Sequence, residues 1–449
     1  MPLAEPPTPN TGRLKAVPVT RKEIFGWAMF DFANSSYTTV VITIAYGKFF
    51  VSNIVPASAG AHDTYWAVAI ILSTLLNLFL SPLAGAVIDY SGRKKAALVA
   101  SCLVCSVATA SLAFVGPGDV WPAIGLIVVS NAAFMLSESF CASFLPELST
   151  PATMGKISGI GWGIGYFGGL ISAFIALKLI ITSDPANTPA YVADNQRAMV
   201  AIGIFFLTAA LPTFILVKNR SVPAPGFEHA SFGRLVKTGL AEFKNSLAIA
   251  ARHKILFQFL FAFMVYMAGL DAIVKFVGIF AEQEVKLTNS ELVYLFLVLQ
   301  VSAAAGAFGF GWLEGKIGPK KTVMLTLGWW IIGVLGIYFM ESIGHAVGIA
   351  PKQVFYGLGI FAGAGIGATQ ASSRTVVGLL APPDRTAQMF GFWAMFSRLG
   401  TILGASFGFV ADGFHSRRAA VLLVVVFFVA GALLLSRVDV ERGIREAHP

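Results

Sequence analysis

Charge is scarce in this 449-residue chain: Asp, Glu, Lys and Arg make up 12% of it, against roughly 25% in soluble domains. A soluble chain with a hydrophobic fraction of 56% could not cover its surface with polar groups, so lipid is the expected solvent. Cysteine is nearly missing too. Cys102 and Cys105 form a C-x-x-C within an apolar run, and Cys141 stands alone. Two ligands cannot close a zinc site, so buried core thiols are expected, with a redox or metal site as the alternative. The chain contains no G-x-x-x-x-G-K-[ST] and no H-E-x-x-H, and its six histidines are scattered. Neither an enzyme nor a resident metal or cofactor is expected. The first twenty residues lack an apolar core, so they read as a disordered arm rather than a signal peptide, with the first span serving as the membrane-targeting signal.

What fills the chain instead is apolar runs of bilayer length. A span needs roughly 20 apolar residues. Candidates lie at 24–52, 64–88, 95–116, 121–146, 155–181 and 197–217, then at 255–281, 290–313, 320–340, 353–380, 387–411 and 417–436. The expected protein is an all-α integral membrane protein with twelve transmembrane helices in two six-helix bundles. The divisions are a cytoplasmic arm (1–23), an N-terminal bundle (24–217), a linker (218–254), a C-terminal bundle (255–436) and a tail (437–449).

Placement of the basic residues tests this count. With the N-terminus in the cytoplasm, 22 of the 32 Lys and Arg fall in cytoplasmic segments, as the positive-inside rule requires. Both termini are therefore expected to be cytoplasmic, in the inner membrane if the source is bacterial. The formal charge of +9 then reflects topology and anionic lipid, not nucleic acid. In the linker, Phe232, Leu235, Val236, Leu240, Phe243 and Leu247 recur at helical spacing among Arg234, Lys237 and Lys244. This reads as an amphipathic helix on the inner leaflet; a solvated linker is the alternative.

The two halves repeat. Gly85-Ala-Val-Ile-Asp89-Tyr-Ser-Gly92-Arg93-Lys94-Lys95 follows the second span, and Gly311-Trp-Leu-Glu314-Gly315-Lys-Ile-Gly318-Pro-Lys320-Lys321 follows the eighth. Pro151, Gly159 and Gly168 match Pro383, Gly391 and Gly400 at a constant offset. Parallel six-helix repeats are the simplest explanation. The second copy departs from the first, since Gly315 stands in the place of Asp89 and Glu314 comes one position early.

The first copy, G-x-x-x-D-x-x-G-R-K-K, resembles the signature loop of the major facilitator superfamily. Gly85 permits close helix packing and Gly92 a tight turn. Asp89 can pair with Arg93 or cap a neighbouring helix N-terminus. The resemblance implies that Gly85, Asp89, Gly92 and Arg93 act in gating, as a cytoplasmic latch. Trp27-Ala-Met-Phe-Asp31-Phe-Ala-Asn34-Ser35-Ser36-Tyr37 is similar to the opening motif of the branch that includes fungal vacuolar effluxers linked to autophagy. Phe144-Leu-Pro146-Glu147-Leu and the glycine-rich run Gly155 to Gly169 fit that branch as well. For the fungal members the resemblance implies amino-acid efflux. Within the run, Gly163-Ile-Gly165-Tyr-Phe-Gly168 satisfies G-x-G-x-x-G, but it lies inside an apolar span without a preceding strand. Helix packing is expected there, not nucleotide binding.

Ionisable groups inside spans cost at least ~2.5 kcal/mol each at the bilayer centre, so they usually face a cavity or a partner. In the first span Asp31, Asn34, Ser35 and Thr38 share one helical face. In the fourth, Asn131 and Glu138 do so. In the seventh, Asp271 and Lys275 are an i, i+4 pair. In the tenth, Gly363, Gly367, Gln370 and Arg374 line up. The superfamily builds its central cavity mainly from those four spans. Asp31, Glu138 and Arg374 each lie roughly 11 Å in from the cytoplasmic end, at 1.5 Å per residue, which suggests a common site. The expected activity is secondary transport of a small polar or zwitterionic solute by a monomer, with protons as the coupling ion. The alternatives are static interhelical pairs and a non-transporting scaffold, sensor or assembly factor.

Overall fold

The computed structural model describes residues 18–56, 58, 62–184, 188–406 and 417–448. The side chains of 63, 246, 247, 275, 276, 278, 279, 282, 283, 289, 290, 293 and 417–420 lie outside that description, so most of the expected arm at 1–23 does too. Every regular element longer than a single residue among the described residues is helical. In lipid this follows from backbone hydrogen bonding, because a helix satisfies its own N–H and C=O groups where no water can.

The principal helices are α1 (Arg21–Ser36), α2 (His62–Ser91), α3 (Lys94–Ser111), α4 (Val120–Ala142), α5 (Met154–Phe174) and α6 (Thr188–Leu216), then the linker helix α7 (Phe232–Lys244). They continue with α8 (Lys254–Gln283), α9 (Asn289–Ile317), α10 (Pro319–Tyr338), α11 (Pro351–Leu380), α12 (Thr386–Gly404), α13 (Arg417–Ser436) and α14 (Val440–Ala447). Among the described residues nine helices are long and apolar enough to cross a membrane, or ten when the bent pair at 421–447 counts as one span. These include α2 to α6 and α8 to α11 in whole or in part.

The segment expected as the first span, 24–52, is not among these helices and differs from a plain helix. After Ser36 the chain widens into a π-helical stretch, Tyr37–Ile44, breaks at Ala45, and resumes as Tyr46–Phe49 and a second π-helical stretch, Phe50–Ile54. The cause is local. Six of the eight residues in Tyr37–Ile44 are β-branched before the closing Ile44 is even counted, and such side chains crowd the preceding turn. The wider turn is sealed by Ala45 N–H donating to the Val40 carbonyl at 3.1 Å and by Thr43 Oγ1 donating to the Thr38 carbonyl at 2.8 Å. π segments of this kind are uncommon and concentrate at functional sites.

The chain divides into two compact units. Unit 1 holds residues up to Leu148, 164–243 and 384–391; unit 2 holds 149–163, 244–383 and 392–449. The helices α5 and α12 are thus each shared by sequence between the units. In unit 1 the main packed pairs are α1 with α6, α3 with α4, α2 with α4, and α3 with α6. In unit 2 they are α8 with α13, α10 with α11, α9 with α11, and α10 with α13. Counted from the start of each half these are the same four pairings, so the parallel repeat suspected from the glycine offsets is present in the packing.

Glycines set the closest approaches. In unit 1 a Cβ at Gly391 would overlap the Ser81 carbonyl, and one at Gly168 the Phe32 carbonyl. In unit 2 the equivalent positions are Gly159 against the Ala307 carbonyl and Gly400 against that of Met264. Gly168 of the G-x-G-x-x-G run is therefore a helix-packing residue, and Gly165 beside it packs on α1 at Asp31 and Ser35. Cys102 and Cys105 are buried in the core of α3.

The linker helix α7 docks on α2. Gly239 lies against Leu83 and Val87, and the Phe243 ring meets Phe79 edge-on at 6.2 Å between centroids. Leu235 is buried, while Phe232 and Leu240 stay exposed.

Candidate functional site

Unit 1 carries a charged cluster where α2, α3 and α4 end or begin. It is built around the turn between α2 and α3. Gly92 takes φ +64° there, and any side chain at it would run into the linker backbone at Val222 and Pro223. Linker residues bond to the same turn: Asn219 Nδ2 donates to the Gly92 carbonyl at 2.9 Å, and Ala224 N–H to the Tyr90 carbonyl at 2.9 Å.

Asp89, one turn from the end of α2, caps α12. Its Oδ1 accepts from Ala387 N–H at 3.1 Å and its Oδ2 from Gln388 N–H at 2.8 Å. Of the two roles open to Asp89 from sequence, the structure has the helix cap, and Arg93 is exposed. A carboxylate at a helix N-terminus meets otherwise unsatisfied amides and the positive end of the helix dipole. Gly85, one turn earlier, lets the Ala387 backbone approach to within what would be Cβ contact.

Lys94 is only 1% exposed. Its ammonium pairs with Glu147, donates to Thr386 Oγ1 at 2.8 Å and to the Ser143 carbonyl at 3.2 Å, and lies 5.4 Å from the centre of the Phe144 ring. All its donors have acceptors, which is what a buried cation requires. Glu147 also accepts from Ser221 Oγ of the linker at 3.3 Å. Nearby, Arg385 Nη1 donates to Glu242 Oε2 at 2.8 Å and Tyr90 Oη to Glu242 Oε1 at 2.7 Å. Burial raises the Glu242 carboxyl, but the Tyr90 hydroxyl and the Arg385 guanidinium outweigh it and hold it below the usual carboxylate range. Glu23 at the start of α1 pairs with Arg220 and accepts from Lys218 N–H at 3.0 Å.

Sequence reasoning had not singled out Lys94, Glu147, Glu23, Arg220, Glu242 or Arg385. Lys94 and Glu147 lie in the quoted motifs, but neither motif assigns them a partner. A single clue was available: a glutamate directly after Leu-Pro at a span end is an unusual place for a charge without a partner.

Within the spans of unit 1, Asp31 is half-buried on α1 with Ser35 Oγ donating to its backbone carbonyl at 2.9 Å and Tyr166 of α5 next to its charge. Asn34 is buried, its Oδ1 accepting no hydrogen bond among the described residues. Asn131 on α4 donates to Ser73 Oγ of α2 at 2.7 Å, and Glu138 is half-buried two turns further along α4. Tyr37 Oη and Ser130 Oγ bond at 2.8 Å between α1 and α4.

In unit 2, Arg374 on α11 is 3% exposed. Its Nε donates to Ser158 Oγ at 3.0 Å and its Nη2 to the Ser158 carbonyl at 2.8 Å, and its guanidinium carbon is 5.6 Å from the Trp162 ring centre. Ser158 Oγ in turn donates to the Ala371 carbonyl at 2.8 Å, so its lone pairs face the arginine. Gln370 is half-buried. Asp271 accepts from Thr401 Oγ1 at 3.3 Å; the side chain of Lys275 lies outside the described residues. The structure thus groups Asn131 with Ser73, Arg374 with Ser158 and Trp162, and Asp271 with Thr401.

Comparison with known proteins agrees with this architecture. The chain is 26% identical over 432 residues to the uncharacterised MFS-type transporter YxiO of Bacillus subtilis, covering 94% of this chain and 95% of that one. It is 26% identical over 328 residues to autophagy-related protein 22 of Kluyveromyces lactis, covering 71% and 65%. Among solved structures it is similar to the major facilitator transporter FucP in the outward conformation (TM-score 0.69, 14% identity, 93% and 99% covered). It is also similar to the proton:xylose symporter XylE (TM-score 0.68, 12% identity, 93% and 94% covered). The profile of the vacuole effluxer Atg22-like family matches residues 61–448, and the chain, a multi-pass membrane protein of the major facilitator fold, belongs to that family.

Proposed function

We propose that the protein is a secondary transporter with twelve spans that moves a small polar or zwitterionic metabolite across the membrane by alternating access, driven by protons. Amino acids are the first class to test, because the resemblance to the fungal members implies amino-acid efflux and the matching family is described as vacuole effluxer Atg22 like. The observation that carries the reading is Arg374: a guanidinium 3% exposed in a 30-residue apolar helix. An ionisable residue inside the membrane is costly to keep and by default points to a functional site.

The roles follow from chemistry. Arg374, oriented by Ser158, receives an anionic group of the solute. Asp31 or Glu138 exchanges the coupling proton. Asn34, Ser35, Asn131 and Gln370 supply neutral hydrogen bonds, and Asp271 with Lys275 forms the second pole for a zwitterion. In the gating role, Gly85 admits the α12 backbone, Asp89 holds its N-terminus, Gly92 makes the turn and Arg93 meets solvent or lipid phosphate. Release of the Asp89 cap accompanies opening on that side.

Reconstitution into proteoliposomes with a panel of labelled metabolites, with and without a pH gradient, tests the proposal. Uptake of one class, accelerated by the gradient, is expected. Arg374→Gln, Asp31→Asn and Glu138→Gln should each remove it while leaving expression intact. If all three variants transport like the parent, the assignment of these residues fails.

A further inference from the structure

In unit 2 the first turns of α8 and the last turn of α13 enclose a groove of about 390 Å³. Its walls are Phe257, Phe261 and Leu434, and its rim carries Lys254, Gln258 and Arg437. No carboxylate lines it. Lys254 is the first residue of α8 and Arg437 directly follows α13, so both cations sit at one end of the groove. Phe261 is seven residues further into α8, roughly 10 Å along the helix, and is 49% exposed.

Arg437 is held in place by its neighbours. Lys320 Nζ, from the first turn of α10, donates to the Ser436 carbonyl at 2.9 Å and to the Val438 carbonyl at 2.7 Å. Arg437 N–H donates to the Leu434 carbonyl at 3.2 Å. The backbone on both sides of Arg437 is therefore fixed, while its side chain and that of Lys254 are exposed. Among the described residues neither cation forms an ion pair with a carboxylate, and neither has another unstated partner.

We infer that this groove is a binding site for an anionic phospholipid, with the phosphodiester between Lys254 and Arg437 and an acyl chain along Phe257, Phe261 and Leu434. Charge complementarity selects the occupant. A groove with two unpaired cations above half-exposed aromatic rings matches an amphiphile with its negative charge next to its apolar tail. A free anion would leave the rings uncovered, and a zwitterionic lipid would bring its own cation to a rim without carboxylates. A neighbouring cleft of about 560 Å³ shares Arg437 but is lined by Asp439 and Glu441 as well as Lys321, so its charge is mixed and it does not select an anion. Basic pockets between membrane helices near the bilayer surface hold anionic headgroups elsewhere for the same reason.

The test is native mass spectrometry and thermal stability of the purified full chain titrated with phosphatidylglycerol, phosphatidylcholine or inorganic phosphate. Preferential binding of phosphatidylglycerol is expected, reduced roughly tenfold or more in Lys254→Gln/Arg437→Gln, given the strength of a basic residue toward an anionic surface. Leu434→Trp, which fills the groove without touching charge, should lower it as well, and Lys321→Gln should leave it within about twofold. Both substituted cations are exposed, so the double variant should fold; an unchanged melting temperature in lipid-free detergent checks that. Retention of the phosphatidylglycerol preference in the double variant would overturn the inference. Equal binding of phosphatidylcholine, or displacement by millimolar phosphate, would also do so.

Discussion

Asp89 and Glu314 occupy corresponding corners of the two repeats and differ in what their carboxylates meet. In unit 1, Gly85 brings α2 against the Ala387 backbone and Asp89 accepts two amide hydrogens of α12. In unit 2, Gly311 brings α9 against the Gly155 backbone in the same way. Here the acid stands one residue earlier. One residue on a helix is a rotation of about 100°, and the Glu314 carboxylate packs against Gly155 in the first turn of α5 without accepting from its amides. Glu314 is 4% exposed and neither oxygen accepts a hydrogen bond among the described residues. Thr375, close by, donates its hydroxyl to the Ala371 carbonyl instead. The backbone approach is thus a property of the repeat, whereas the cap belongs to one copy.

Four experiments sharpen or break this contrast. The largest effect is expected at Lys94. Lys94→Met leaves Glu147 buried without its counter-charge, which costs about 3–5 kcal/mol, read as a lower melting temperature in detergent. Lys94→Met/Glu147→Leu should recover most of it, since removing both partners is far less costly than removing one. Failure of the double variant to recover would show that Lys94 acts through Thr386 and Ser143 instead.

Next come the glycines. Gly85→Ala places a methyl on the Ala387 backbone and should cost about 1–3 kcal/mol by overpacking. Gly315→Ala meets nothing closer than the Ala152 carbonyl at 3.6 Å and should be neutral or slightly stabilising in its helix. Equal losses would mean that the approach at Gly85 relaxes.

The carboxylates themselves follow. Asp89→Asn keeps the shape but loses the charge at the α12 N-terminus, an expected loss of about 1 kcal/mol. Glu314→Gln removes no cap and should stay within about 0.5 kcal/mol. A loss at Glu314 as large as at Asp89 would refute the asymmetry.

The smallest effect concerns pH. The Glu242 carboxyl is held below its ordinary range by Tyr90 and Arg385 against the opposing effect of burial. Its stabilisation is present above the ordinary carboxylate value, about 4.3, and is lost as pH falls through the lowered folded value. Glu242→Gln should therefore flatten the acid side of the stability profile below about pH 5, with little change in its slope at pH 7.

Much of the architecture was legible in the order of residues because bilayer physics is one-dimensional. Runs of apolar residues must cross as helices, and the basic loops and glycine offsets mark the repeat. The break in the first span was not read from the run 24–52. Its cause, the β-branched stretch after Tyr37, is visible in sequence, but hydropathy does not distinguish an α turn from a π turn. The polar stripes on α1, α4, α8 and α11 were legible as periodic faces. Their partners were not: Ser158 for Arg374, Ser73 for Asn131 and Thr401 for Asp271 come from other helices, and no spacing within one helix reports them.

Sequence alone determined that this protein is a helical membrane protein of two parallel repeats, since hydrophobic length, charge bias and small-residue spacing are local properties. Only the tertiary structure decided that Asp89 caps α12 while Glu314 caps nothing, and that Lys94 is buried beside Glu147 and Thr386. A carboxylate or an ammonium acquires its role from atoms within about 3 Å, and those atoms are contributed by segments far away along the chain.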